Sequence, residues 1–245
     1  ALSRAAGLPY DRNRIELFEI LFTYLHNKEF KERLENNSSA NSFRNFAFFE
    51  AYFSNYIEGT IFEVAEAKEI IDTGIPLPAR SDDSHDVLGT YQIVSNINEM
   101  KIIPSDEDEF LNILQSRHKV LISARVDKNP GQFKERNNRA GNTFFVDFKL
   151  VRGTLIRGFE YYKALTNPFA RAAYIMFLVS EVHPFEDGNG RIARVMMNAE
   201  LVNRNQCKII IPTVYRDSYL LTLRKLSRQK DSTHYVEMLT NTHKF

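Results

Sequence analysis

From Phe169 to about Val182 the chain is apolar nearly all the way round a helix, with Ala172, Ala173, Ile175, Met176, Phe177, Leu178 and Val179 spread over its faces. A helix of that kind has to be enclosed on every side. No apolar run in the chain is long enough to span a bilayer, so the enclosure must come from the chain itself. Asn167-Pro168 supplies the start: an N-cap followed by proline at the first helical position. The sequence therefore asks for a helical bundle built around one buried helix.

The remaining segments offer the wrapping. Ile15, Leu17, Phe18, Leu21, Phe22 and Leu25 recur at helical steps and predict an amphipathic helix from about residue 12. Asn36-Asn37-Ser38-Ser39 reads as a loop. A second helix, rich in Phe and Tyr, is expected from about Ser42 to Glu58 and stopped by Gly59. Thr60-Ile61-Phe62-Glu63 has capping-box spacing for a third, which ends near Asp72-Thr73-Gly74. Two more are expected at about 83–99 and 106–125. The latter opens on Ser105-Asp106-Glu107-Asp108, which places a cap and acidic groups at the positive end of its dipole. Residues 128–142 break the pattern with turn formers. Thr143-Phe144-Phe145-Val146-Asp147-Phe148 is the best strand candidate, short and isolated, hence half of a hairpin. Helices resume at about 152–165, 190–204, 214–228 and 232–241. The fold class expected is all-α with one small β-hairpin.

With 245 residues, 43% of them hydrophobic, the chain can bury an ordinary core as one large domain or one domain with a helical extension. Its 32 basic and 31 acidic residues leave a formal net charge of +1, which gives no electrostatic argument for a nucleic-acid or membrane partner. The single cysteine, Cys207, can form no internal disulfide, so a reducing compartment is expected. The N-terminus lacks the basic-then-apolar order of a signal peptide, and the expectation is a cytoplasmic protein.

The chemistry concentrates at residues 183–194, His-Pro-Phe-Glu-Asp-Gly-Asn-Gly-Arg-Ile-Ala-Arg. A buried helix ends at His183, and a new one starts near Gly190. A helix N-terminus with unpaired N–H groups binds anions, and Gly188 and Gly190 let a phosphate approach the backbone closely. Arg191 and Arg194 share a helix face, spaced to grip a polyphosphate. Asp187 is a hard oxygen ligand suited to Mg²⁺. His183 titrates near neutrality and can act as a general base toward a hydroxyl. Taken singly, each part has an ordinary reading as a cap, a turn or a solvated face. Their ordered combination is the parts list of transfer from a nucleotide.

Every fixed position of residues 183–194 resembles the signature of the Fic family, His-Pro-Phe-x-(Asp/Glu)-Gly-Asn-Gly-Arg-x-x-Arg. The resemblance implies a Fic-like helical bundle with a small β-hairpin flap. It also implies a protein adenylyltransferase that moves AMP from ATP onto a Ser, Thr or Tyr hydroxyl. His183 would be the base, and Asp187 would hold Mg²⁺ or Mn²⁺ on the α- and β-phosphates. Asn189 and the loop amides around Gly188 and Gly190 would bind phosphate oxygens. Arg191 would grip the β-phosphate and Arg194 the γ-phosphate, with Phe185 packed inward. The hairpin at Thr143 to Leu150 matches the flap, on which an unidentified target protein would dock by strand addition. Tyr219 resembles a position bordering the adenine, with core packing an equally good account. Relatives often self-associate and modify themselves. The domain organisation implied is an N-terminal helical extension over residues 1–41 and a Fic domain over 42–245, with an inhibitory helix at about 42–58 and a core at about 106–241.

Ser54-Asn-Tyr-Ile-Glu58-Gly59 resembles the inhibitory pattern (Ser/Thr)-x-x-x-Glu-(Gly/Asn) of the same family. Ser54 and Glu58 share a helix face. A glutamate in a last helical turn sits unfavourably in the dipole, which makes sense if it has a partner elsewhere. The resemblance names Arg194 as that partner, with Glu58 standing in the place of the γ-phosphate. Three functions stay open on these residues: autoinhibited AMP transfer; removal of AMP or transfer of another phosphate-linked group on the same fold; and a non-enzymatic nucleotide-responsive module.

Overall fold

The computed structural model describes residues 7–36 and 39–244. The central helix, α8 (Pro168–Val182), forms as expected, with the Asn167 side chain accepting from Ala170 N–H at 3.1 Å and Pro168 at its first position. It packs along α9 (Asn189–Asn203), and together they form the core pair. Around them lie α1 (Arg12–His26), α2 (Ala40–Ile57), α3 (Val64–Thr73), α4 (Ser81–Val94), α5 (Ile97–Met100), α6 (Glu107–Leu121), α7 (Val151–Ala164), α10 (Arg216–Gln229) and α11 (Ser232–Thr242). No helix among the described residues is long and apolar enough to cross a membrane.

The apolar stripe of α1 does what its spacing demands. Leu17, Phe18, Leu21 and Leu25 are buried in the main core, where Phe18 meets the rings of Tyr174 and Phe177 edge-on. A smaller apolar cluster of Tyr52, Phe62, Ala67, Ile70 and Val87 joins α2, α3 and α4. Through α4, α2 is held against the end of the bundle that carries the loop between α8 and α9.

Three local expectations change. The helix expected over 83–99 is two, because Asn96 leaves helical geometry and its side chain accepts from the N–H groups of Asn98 and Glu99, starting α5 afresh. The capping box expected at Thr60–Glu63 lies one turn later, between Glu63 and Glu66, because Thr60 N–H is already spent on Asn55 O at the end of α2. The strand expected over Thr143–Phe148 is only Thr143–Phe144, paired antiparallel with Arg139–Ala140. Val146 turns into the core, and Asp147 caps a single 3₁₀ turn, Phe148–Leu150, that leads into α7. The loop expected at 36–39 falls partly outside the described residues.

Candidate active site

The loop from His183 to Gly188 is fixed mostly by groups that the loop itself does not supply. Helix α8 ends with His183 in the left-handed region (φ 52°), which turns the chain out of the core. Phe185 is fully buried and stacks on His118 of α6 at 3.6 Å between ring centres. Gly131 N–H donates to His118 Nδ1 (2.9 Å), so His118 Nε2 carries the proton and donates to the carbonyl of Asp187 (2.9 Å). Burial pushes His118 down to about 4, which keeps it neutral in this role. The segment before the hairpin adds two braces: Lys134 N–H donates to Pro184 O, and Asn138 Nδ2 to Phe185 O. Asn189, expected on a phosphate, spends both side-chain polar atoms on the backbone of Phe185 (2.9 Å each). What it offers an anion is its main-chain N–H, one of the unpaired donors in the first turn of α9.

His183 lines a cavity of about 550 Å³ together with Glu58, Phe145, Gly190, Arg194 and Tyr219. Its Nδ1 faces the carbonyl of Ser180 at 3.2 Å, an acceptor only, so Nδ1 carries the proton and Nε2 keeps its lone pair. Burial takes the imidazole down to about 4, helped by the neighbouring Lys134 ammonium. Phe145, which follows the hairpin strand, lies flat on the His183 ring at 3.6 Å.

The two motif arginines part company. Arg194 points into the cavity, where it donates to Ser54 Oγ (3.0 Å), Ser54 O (2.8 Å) and Glu58 Oε1 (2.7 Å). The pair is lopsided: the Arg194 side chain is 5% exposed and that of Glu58 36%. The Arg194 guanidinium also lies 5.9 Å from the centre of the buried Tyr219 ring. Glycine at residue 190 leaves room for Glu58 where it stands, since a Cβ there would fall 2.1 Å from Glu58 Oε1. Arg191 turns the other way. It pairs with buried Asp86 of α4 at 2.7 Å, touches Asn55 Oδ1 at 3.3 Å, and stands 3.6 Å from Asp187 Oδ2. Arg125 holds the same Asp86 carboxylate.

The structure thus gathers His183, Glu58, Gly190, Arg194 and Tyr219 on one cavity and leaves Asp187, Gly188, Asn189 and Arg191 off its wall. Asp187 is 40% exposed and accepts from Gly188 N–H, and the described residues contain no group of three His, Cys, Asp or Glu placed to hold a metal. A single carboxylate of this kind fits Mg²⁺ held otherwise by phosphates and water. Sequence reasoning missed Asp86, Asn55, His118 and Phe145. Of these Asn55 carried a signal, as the neighbour of Ser54 in the second motif, and Phe145 lay in the segment that resembles the flap.

Comparison with known proteins gives the following. Residues 108–201 match the model of the Fic/DOC family. A Protein adenylyltransferase Fic from Drosophila willistoni is 28% identical over 220 residues, covering 84% of this chain and 42% of that protein. The chain therefore spans about two-fifths of the length of that curated relative. Among solved structures, a fragment of Fic-1 from C. elegans superposes with a TM-score of 0.67 at 18% identity, over 94% of this chain and 69% of that one. IbpAFic2, solved covalently tethered to Cdc42, superposes with a TM-score of 0.51 at 17% identity, over 94% of this chain and 70% of that one.

Proposed function

This chain belongs to the Fic family, and on that footing we propose that it is a protein adenylyltransferase, held in check by Glu58, that moves AMP from ATP to a hydroxyl of a target protein. The observation that carries the reading is a single cavity shared by a neutral His183 that keeps its Nε2 lone pair, Gly190 in the first turn of α9, and Arg194 closed on Glu58. Homologues named Protein adenylyltransferase Fic support ATP as the substrate. A structural neighbour solved tethered to Cdc42 supports a protein as the acceptor.

In this mechanism the target hydroxyl gives its proton to His183 Nε2 as its oxygen attacks the α-phosphorus. The bond from that phosphorus to the bridging oxygen breaks, and pyrophosphate leaves with the electron pair. The main-chain donors at the start of α9 would stabilise the developing charge, joined by Arg194 once Glu58 releases it. Asp187 would hold Mg²⁺, which when bound neutralises phosphate charge. Glu58 and the γ-phosphate compete for the same guanidinium, and while Glu58 holds it ATP lacks the anchor that aligns the α-phosphorus. The hairpin would receive the target segment by strand addition.

A second reading, removal of AMP from a modified protein, draws on one feature. The Glu58 carboxylate is partly exposed on the same cavity wall as His183, where it could orient a water. Mass spectrometry of the Glu58→Gly chain after incubation with Mg-ATP tests the first reading. Addition of AMP to the chain or an added protein is expected. Absence of any adduct, together with AMP release from a modified protein by the unaltered chain, overturns it in favour of the second.

A further inference from the structure

Helix α1 precedes every motif so far discussed, yet one of its side chains reaches the hairpin. Arg14 Nη2 donates to the carbonyl of Phe144 at 2.8 Å. Its Nε lies 2.9 Å from Oε1 of Glu181, a buried carboxylate in the last turn of α8, two residues before His183. Glu181 Oε1 also accepts from Ser227 Oγ of α10 at 2.9 Å. On the same side, Arg228 of α10 donates to Thr143 Oγ1 at 2.7 Å. The helix that bears Arg14 is itself anchored: Asp11 caps it, and Asp11 N–H donates to Thr154 Oγ1 of α7. Arg14 thus links the hairpin to the helix that ends in the base.

The hairpin's own geometry says which of its groups Arg14 occupies. Gly141 and Asn142 form a two-residue turn with φ +56° at Gly141, the position where a type II′ turn needs it. Ala140 and Thr143 flank the turn, where antiparallel partners exchange both hydrogen bonds. Phe145 N–H donates to Asn138 O, the next bonded pair. Arg139 and Phe144, facing each other between these pairs, must turn their N–H and C=O outward, one on each edge. The Phe144 edge is the one that Arg14 caps. The residue after Phe144 is Phe145, stacked on His183.

We infer that Arg14 is a positioning residue: it closes the Phe144 edge of the hairpin and holds Phe145 against His183, which leaves an extended acceptor peptide only the Arg139 edge to pair with. The acceptor is a strand-forming protein segment whose backbone meets Arg139 N–H and C=O. The peptide half of this inference rests on the proposed transfer reaction. The anchoring half does not.

The test uses the full chain and two measurements. Amide hydrogen exchange at residues 143–145 is compared in the unaltered chain, Arg14→Ala and Arg14→Lys. Self-labelling by Mg-ATP is then compared in the Glu58→Gly background with the same changes and with Arg139→Pro, which removes an outward donor and no hairpin bond. Arg14→Ala is expected to speed exchange at the hairpin-bonded amides of Thr143 and Phe145 at least tenfold and to lower kcat at least tenfold, with KM for ATP changed less than twofold. Arg14→Lys should recover part of both effects, since one ammonium can still bridge the carbonyl and the carboxylate. Arg139→Pro should abolish labelling and retain ATP binding. Unchanged exchange in Arg14→Ala overturns the anchor. A fall in turnover that Lys does not relieve, matched by a fall in thermal midpoint, reduces Arg14 to a stabilising contact and overturns it as well. Full labelling by Arg139→Pro overturns the edge assignment. If the Glu58→Gly parent labels nothing, the transfer reading fails, and the exchange measurement still decides the anchor.

Discussion

Replacing Glu58 by Gly should release the site, and the structure sets the size of the effect. Arg194 makes three contacts on α2, and the substitution removes one of them, leaving Ser54 Oγ and Ser54 O in place. The end of α2 keeps its other ties, Arg216 Nε to Ile57 O and Thr60 N–H to Asn55 O, so the change stays local. Breaking a fully buried pair costs about 3–5 kcal/mol, and an exposed pair is worth about 0–1 kcal/mol. With Arg194 buried and Glu58 a third exposed, a value of about 2 kcal/mol is reasonable after allowing for solvent screening. At about 1.4 kcal/mol per decade that is roughly thirtyfold in the population of sites with Arg194 free for a γ-phosphate. Transfer from saturating Mg-ATP should therefore rise by about one to two decades in Glu58→Gly. The gain should vanish in the double variant Glu58→Gly, Arg194→Ala, because the anchor is then gone. Label incorporation by the four members of that cycle is the assay. A flat response to Glu58→Gly, or a gain that survives without Arg194, refutes the competition.

His183→Ala should lower transfer at least about a hundredfold while leaving ATP affinity within about twofold, measured by calorimetry, because the base acts on the incoming hydroxyl. With His183 depressed to about 4, the pH–rate profile should stay level through the neutral range and fall only as acid protonates Nε2 near that value. Asp187→Ala should remove both the activity and its dependence on added Mg²⁺, and full activity in excess chelator would sink the metal assignment. His118, also depressed to about 4, binds a proton near pH 6.5 when unfolded but not when folded, so its contribution to stability falls as pH drops from 6.5 toward 4. That share of the loss should reach about 3 kcal/mol by urea unfolding, and His118→Gln should remove it while leaving the similar share of His183.

The helical frame was legible because its signals are local. Asn167-Pro168, the apolar run behind it and the stripe of α1 each act within a few turns, and the structure places α8 and α1 where those signals put them. The order of residues in 183–194 likewise foretold a loop between two central helices, and Phe185 packs inward as expected. What could not be read was partnership across the chain. Arg191 and Arg194 look equivalent in sequence, yet buried Asp86 claims one and α2 the other. Nothing in the place of Asn189 in the motif tells that its side chain braces the Phe185 backbone. His118 meets the motif by stacking and by one hydrogen bond to a main-chain carbonyl, and Phe145 by stacking, contacts that leave no periodicity or spacing behind. The overlong strand has a simpler cause: Thr143–Phe148 has strand composition, but Val146 is claimed by the core and Asp147 by a cap.

The central claim is that the bond formed is to the α-phosphorus and that His183 makes it possible. It is tested most directly by offering the Glu58→Gly chain, with and without His183→Ala, ATP labelled in parallel reactions at the α- or the γ-phosphorus. The account predicts protein-bound label from the α position alone, release of pyrophosphate in equal amount, and no label in the His183→Ala chain. Protein-bound label from the γ position, or α label that persists undiminished without His183, would contradict it.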